Sequence, residues 1–302
     1  MERIGVGKGS PEGTNSAYVF PERKVVIDPG PPGKDSWQQL KDGISAAGLQ
    51  PADVSTIFVT HWHIDHAGLA PRLAKIADAN IAMHKADAQL VAEYGDERER
   101  RVERDMQNLE QWGVPENIIR SVRDQDTPSP LPDRIPVREL SDGDQFNGLE
   151  VIHTPGHTSG HASVTVDGQL FVGDAVLPTY TPNVGGSDTR IKQPLQTYYQ
   201  TLDRLQTREE IAYPGHGKNV SLGDRIDEIF AHHKKRSEQV LGLVQKQGPV
   251  TPWEIATILF GDMSGIHVKL GAGEAAAHLT DLAEKEDIEF VAEDPDTYSS
   301  KK

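Results

Sequence analysis

The stretch His61-Trp62-His63-Ile64-Asp65-His66 decides how this chain is read, because it joins a strand to a cluster of metal-ligand side chains. Residues 54–60 (VSTIFVT), just before it, are an apolar, β-branched run of the kind that fills a buried strand. In the extended segment that continues it, His61 and His63 stand two apart and project to the same side. Asp65 and His66 come as the chain turns into the next helix, where they can face a second ion beside the first. The chain contains no cysteine. That excludes disulfides and thiolate sites, so any metal is held by nitrogen and oxygen, a donor set suited to Zn2+, Mn2+ or Fe2+.

Outward from the cluster, strands and helices alternate. Residues 17–20 and 25–27 read as β-strands around a turn at 21–24, and Asp28-Pro29-Gly30 stops the second strand. A helix is expected over about 35–48, another over 66–78, and a strand at 81–83, the rhythm of an α/β layered domain. Residues 85–126 break that rhythm and read as two helices parted near Gly113-Val114-Pro115. With the Pro-rich loop 127–136 they make a helical insertion over about 85–135. From Asp96 to Asp105 there are four Arg and five acids, which read as a solvated helix laced with ion pairs such as Glu97 to Arg101. Strands return at 150–153, 162–166 and 169–172, the last two joined by an Asp167-Gly168 turn. Residues 177–193 form a loop beside the chemistry, and a helix comes next near 194–207.

Three further ligand candidates each come directly after a strand: His157 in HTPGHTSGH, Asp174 in LFVGDAV and His216 in YPGHG. Taken in this order after the first cluster, they make a set, and over about residues 10–220 the chain resembles the metallo-β-lactamase superfamily. The resemblance implies an α/β fold, an αββα sandwich with the metals at one edge between its two sheets. It implies that His61, His63 and His157 hold one ion, that Asp65, His66 and His216 hold the other, and that Asp174 bridges both. Asp28 matches a family motif with a structural role. His153 and His161, which flank His157, read as supporting groups or substrate contacts. His84, His232, His233, His267 and His278 read as ordinary surface or core residues. Two divalent ions, Zn2+ ahead of Mn2+ or Fe2+, about 3.5–4 Å apart can share a hydroxide nucleophile, because coordination lowers the pKa of water to about 7. One ion would polarise the substrate oxygen and the other would stabilise the leaving group. Asp65 is expected to steer the hydroxide, so Asp65 and Asp174 are the candidate catalytic residues.

The ligand set also narrows the substrate. Zinc β-lactamases proper most often place a Cys on the second metal and lack the bridging Asp; this chain has no Cys and has Asp174, so β-lactam hydrolysis is not the expected role. The full set is similar to glyoxalase-II-type thioesterases, acyl-homoserine lactonases and the phosphodiesterase branches. The lactonases carry a Tyr three residues after the bridging Asp, where this chain has Leu177, with Tyr180 three further on. A hydrolase of a small-molecule ester, thioester or lactone is the expected function. The alternatives are a phosphodiesterase acting on single-stranded nucleic acid and a non-hydrolytic metal-binding protein or oxidoreductase.

Composition bounds the rest. The 302 residues suit one large domain with a small appendage, and 36% hydrophobic with 25% charged residues suits a soluble enzyme. No run of about 18 apolar residues offers a membrane span. The N-terminus has no apolar core after its charges, so no secretory signal is read there and the cytoplasm is the default. The formal charge of -15 argues against a phosphate-rich partner.

After His216 the texture changes. Residues 221–247 read as a long amphipathic helix, with Ile226, Ile229, Phe230, His233, Val240, Leu241 and Val244 at helical spacing. Thr251-Pro252-Trp253-Glu254 is a capping box that opens a short helix to Phe260. A helix over about 274–287, a strand at 288–291 and a polar tail complete a small winged-helix-like unit, so the chain divides into 1–220 and 221–302. On YPGHG, HHKKR and AAAHLTDLAEKEDIE the chain also resembles superfamily proteins with an appended winged helix, including a mitochondrial single-strand endoribonuclease. From Leu270 to Asp296, however, nine acids face one lysine, Lys285. A helix that reads phosphates should be basic. The unit is therefore read as a packing or oligomerisation element, which leaves a homo-oligomer open. Since the last ligand precedes it, removal of residues 248–302 is expected to leave the metal site intact.

Overall fold

The computed structural model describes residues 1–10 and 13–301. Strands β1 (Glu2–Ser10), β2 (Gly13–Phe20), β3 (Val25–Ile27), β4 (Thr56–Phe58), β5 (Asn80–His84) and β6 (Val137–Leu140) form one sheet in that order, antiparallel up to β3 and parallel after it. The second sheet runs β11 (Ala212–Pro214), β10 (Gln169–Gly173), β9 (Ala162–Val166), β8 (Leu149–His153), β7 (Gln145–Phe146). Alternation along each strand decides what packs where. Val25, Ile27 and Phe58 point between the sheets and meet Val151, Val164 and Phe171, with the Tyr18 ring edge-on to Phe171 at 4.8 Å. Val26 and Ile57 point the other way, onto Leu40 and Ile44 of α1 (Lys34–Ala46) and Leu73 of α3 (Ala70–Ala77). On the far face, Leu170 and Val172 meet Tyr198 and Leu202 of α7 (Pro194–Gln206) and Ile226 and Ile229 of α8 (Leu222–Gln247). The layers are therefore helix, sheet, sheet, helix.

Several elements differ from the sequence reading, each for a local reason. β1 alternates glycine and charge with its few apolar residues, which hid a strand that pairs Ile4 with Ala17. The single helix expected over 66–78 is two, α2 (Ile64–Ala67) and α3. Leu69 N–H is taken by Gly30 O at 2.9 Å and Pro71 has no N–H to give, so the ladder breaks. The insertion holds three helices rather than two: α4 (Lys85–Ala92), α5 (Tyr94–Gln111) and α6 (Glu116–Gln125). The capping box at Thr251 is present and opens α9 (Pro252–Phe260). The last helix, α10 (Ile266–Glu284), begins well before residue 274 and takes in Gly271 and Gly273, residues that weaken a helix by local rules. The polar tail is a strand: β12 (Ile288–Ala292) pairs with β13 (Thr297–Ser300) as a hairpin. Among the described residues, no helix is long and apolar enough to cross a membrane.

The charged run on α5 is not simply a solvated face. Glu97 pairs with Arg100 at 2.5 Å, not with Arg101. Arg101 turns inward to Asp126 at 2.8 Å and Asp105 at 3.1 Å. Asp105, 2% exposed, also meets Lys269 of α10 at 3.0 Å, and Lys269 is itself buried. Taking away one partner of a buried pair strands the other charge, which costs about 3–5 kcal/mol, whereas replacing both partners by apolar groups of similar volume costs far less. Asp105→Ala is therefore expected to lower unfolding free energy by about 3–5 kcal/mol. Lys269→Met should cost much less, because Asp105 keeps Arg101 and the Thr189 hydroxyl. Denaturant titration of both variants checks this; equal losses would contradict it.

Candidate metal centre

The site lies where the first sheet's parallel strands end. The chain leaves β4, passes through Thr60 and delivers His61, His63, Asp65 and His66 within one turn of α2. Asp28, 1% exposed and next after β3, fixes this turn. It accepts from Thr60 N at 2.7 Å, from Thr60 Oγ1 at 2.8 Å and from His66 Nδ1 at 2.9 Å. From the other sheet, the turn after β8 carries His157, the end of β10 carries Asp174 and the turn after β11 carries His216. That last turn must pass very close: a Cβ on Gly215 would lie 2.2 Å from Asp174 Oδ1.

The donor atoms of seven side chains converge. His61, His63 and His157 form one group, Asp65, His66 and His216 another, and Asp174 joins His61 and His66 in a third, each group's atoms lying within 4.8 Å of one another. The hydrogen bonds around the rings identify which nitrogens are free. His157 Nδ1 donates to Asn183 O at 3.0 Å, and His63 Nε2 donates to Ser187 O at 3.3 Å. The Thr60 hydroxyl gives its proton to Asp28, so it accepts from His61 Nδ1 at 3.0 Å. Each ring has then spent its proton on the outside. What remain are His61 Nε2, His63 Nδ1 and His157 Nε2, with His63 Nδ1 3.0 Å from each of the other two. Three lone pairs facing one another with no proton between them repel, and a cation removes the repulsion. On the other side, His66 Nε2 and Asp174 Oδ1 are buried without a hydrogen-bond partner among the described residues. His216 Nε2 lies 3.2 Å from Asp65 and 3.6 Å from Asp174. The donor set therefore fits two cations.

The electrostatics agree. Burial, reinforced by the neighbouring imidazoles, holds His61 well below the ordinary histidine range and pushes His63 down to about 3. Burial opposes a charge on His66 as well, but Asp65, Asp174 and Asp28 outweigh it and raise it well above that range. Burial likewise opposes charge on Asp65 and Asp174, and the imidazoles outweigh it and keep both ionised. One side of the centre thus presents neutral nitrogens, and the other two ionised carboxylates around a His66 whose charge they favour.

His161, read as a supporting group or a substrate contact, supports. Its Nε2 accepts from Asp174 N at 3.0 Å and its Nδ1 donates to Thr154 Oγ1 at 2.8 Å. His153 lies further out, stacked on His84 with centroids 3.9 Å apart. His233 and His278 are buried between α8 and α10, away from the site.

A cavity of about 470 Å³ opens onto the centre. Trp62, Leu90, Tyr94, Leu131, Leu177, Ile266 and Leu270 give it apolar walls, and Arg98, Arg101, Asp126 and Lys269 a polar one. The sequence reading placed the helical insertion and the loop 177–193 around the pocket but singled out none of these residues as its walls. The Arg-rich run of α5 was the available signal, but nothing in it tells which arginines turn inward.

A family model described as "Metallo-beta-lactamase superfamily" matches residues 9–216. A "Probable metallo-hydrolase" of Bacillus subtilis is 27% identical over 87% of this chain and 86% of its own length. An "Atrochrysone carboxyl ACP thioesterase" of Aspergillus fumigatus is 23% identical over 83% of this chain and 69% of its own. Among solved structures, a metallo-beta-lactamase family protein from Thermus thermophilus superposes with a TM-score of 0.81 at 27% identity, covering 99% of this chain and 98% of that one.

Proposed function

Because the chain belongs to the metallo-β-lactamase superfamily and is a hydrolase of it, we propose that it hydrolyses a small-molecule ester, thioester or lactone with two divalent ions, zinc foremost. His61, His63 and His157 would hold one ion, Asp65, His66 and His216 the other, and Asp174 would stand between them. The observation that carries this reading is that every ring proton around the three-histidine group is already given away, so the facing nitrogens suit a cation and little else. Divalent ions supply Lewis-acid polarisation of a carbonyl or phosphoryl oxygen and deprotonation of water near neutral pH.

The chain's own groups do the rest. Asp28 and Thr60 orient His66 and His61, while Asn183 O and Ser187 O orient His157 and His63. Asp65, 3.2 Å from His216 and partly open to the cavity, is placed to accept a hydrogen bond from attacking water and orient it. The apolar walls exclude bulk water and seat an acyl group. Esters and thioesters are favoured over phosphodiesters because the cavity's three cations are tied to two acids and leave an excess of only one positive charge. Arg98 and Arg101 share Asp126, and Lys269 is paired with Asp105. The thioesterase relative supports the acyl reading. We read the helices and hairpin after His216 as a winged-helix-like unit that walls the cavity and leaves room for self-association.

Two measurements test the proposal. Elemental analysis of the purified, reconstituted chain is expected to find about two divalent ions, because seven donors exceed the needs of one tetrahedral ion. A panel of thioesters, lactones, phosphodiesters and single-stranded RNA should find acyl substrates turned over fastest. Preference for single-stranded RNA, or a single bound ion, would overturn it.

A further inference from the structure

Asp87 lies on α4, outside the ligand set, and is 0% exposed. Its carboxylate accepts from four donors: Trp62 N at 3.2 Å and Thr158 Oγ1 at 2.6 Å on Oδ2, Gly160 N at 2.8 Å and Arg190 at 2.5 Å on Oδ1. Trp62 separates His61 from His63, and Thr158 is next after His157. Arg190 also pairs with Asp188 at 2.5 Å, and Asp188 accepts from Ser159 N at 2.8 Å. Arg190 and Asp188 end the segment whose Asn183 and Ser187 carbonyls orient His157 and His63. One acid–base–acid triad, with both acids buried, thus ties together all three segments that fix the three-histidine group. None of its partners belongs to the Asp65, His66 and His216 group, whose His66 is held by Asp28.

We infer that Asp87, with Arg190 and Asp188, is a positioning device for the three-histidine ion alone, so that the two halves of the centre can be weakened separately. The inference rests on the two-ion reading above. The chemistry of the hub makes it testable. A carboxylate offers acceptors on both oxygens, and here both are filled by donors. An amide of the same shape must turn its NH2 toward one of the two donor pairs and lose those bonds. The loosened segments carry His63 and His157, and losing the partners that orient metal-binding histidines typically costs 10–100-fold in metal affinity.

The experiment is zinc titration of wild type and Asp87→Asn against a competing chelator, with zinc-edge X-ray absorption on the one-zinc form. The wild type should bind two ions. In Asp87→Asn one affinity should fall by about 10–100-fold while the other stays within about two-fold, and the ion that remains should have two imidazoles around it, not three. Activity should return at excess zinc. A parallel fall of both affinities, or a remaining ion with three imidazoles, overturns the inference while leaving the two-ion reading standing. A wild type that binds one ion overturns both. Should Asp87→Asn fail to fold by far-UV dichroism, Thr158→Val removes a single bond without uncovering a charge and should show the same one-sided loss, smaller in size. Equal losses, or none, in that variant overturn the inference as well.

Discussion

Asp174→Ala is expected to keep the fold, bind one divalent ion in place of two, and lose activity by at least ~10²-fold, the cost of removing one preorganised charge from a reacting centre. Asp174 is the side chain whose oxygens reach both halves of the site. Oδ1 lies 3.6 Å from His66 Nε2, and Oδ2 lies 3.6 Å from His216 and 3.9 Å from His157. The fold should survive because the structural contact at this position is made by the backbone: Asp174 N donates to His161 Nε2, which alanine also allows. The strand behind it, β10, is held by β9 and β11 and by Phe171 between the sheets. Elemental analysis, far-UV dichroism and turnover of a reporter ester on the same preparation check the three parts. Retained activity would mean that the two halves of the site do not need a shared carboxylate.

The sequence carried the site's residues because histidines, scarce in this chain, and aspartates recur in a fixed order just after strands and in glycine-flanked turns. The runs at 54–60 and 169–172 are apolar enough to be read as buried, and just beyond them stand His61 and Asp174. The same logic pointed to a layered α/β domain, since a strand buried on both faces shows as continuous apolar sequence, whereas the sandwich itself was what the family resemblance implied. What failed was anything fixed by contacts far apart in the chain. Asp87 sits in an ordinary Lys-Ala-Asp-Ala stretch at the start of α4, and only the fold brings Trp62, Gly160 and Arg190 to it. Arg101 looked like half of a surface pair with Glu97, and its turn toward Asp126 depends on α6 lying alongside. The start of α10 was missed because two glycines in Gly271-Ala272-Gly273 weaken a helix by local rules. Their reason is tertiary: at Gly273 the helix meets another backbone.

Gly273→Leu is therefore expected to damage a metal site to which residue 273 contributes no ligand. A Cβ on Gly273 would lie 2.4 Å from Gly186 Cα and 2.5 Å from Gly186 N, and one on Gly186 would lie 2.5 Å from Leu270 Cα. These are backbone atoms, so a side chain there cannot be accommodated by a rotamer change; α10 or the 183–187 loop must move. That loop is tied to α10 by Asn183 Nδ2 donating to Leu270 O at 3.2 Å, and its carbonyls orient His157 and His63. Overpacking of this kind costs about 1–3 kcal/mol, and displacing a reacting geometry by about 1 Å costs ~10²-fold in rate. The variant should show both losses, with weakened binding of one ion, and Gly273→Ala should show the same pattern in smaller measure. Chain order alone predicts that residues 248–302 are dispensable for metal binding; the contact predicts the opposite. Without them the loop loses its support, Asp105 loses Lys269, and Met106, Leu109 and Val122 lose the cover of Val268 and Ala272. The truncated chain should bind the three-histidine ion poorly and be prone to associate through the uncovered face. If it stays folded by far-UV dichroism and still takes up two ions with wild-type affinity, the loop holds His63 and His157 without help from α10, and the backbone contact at Gly273 matters only for packing.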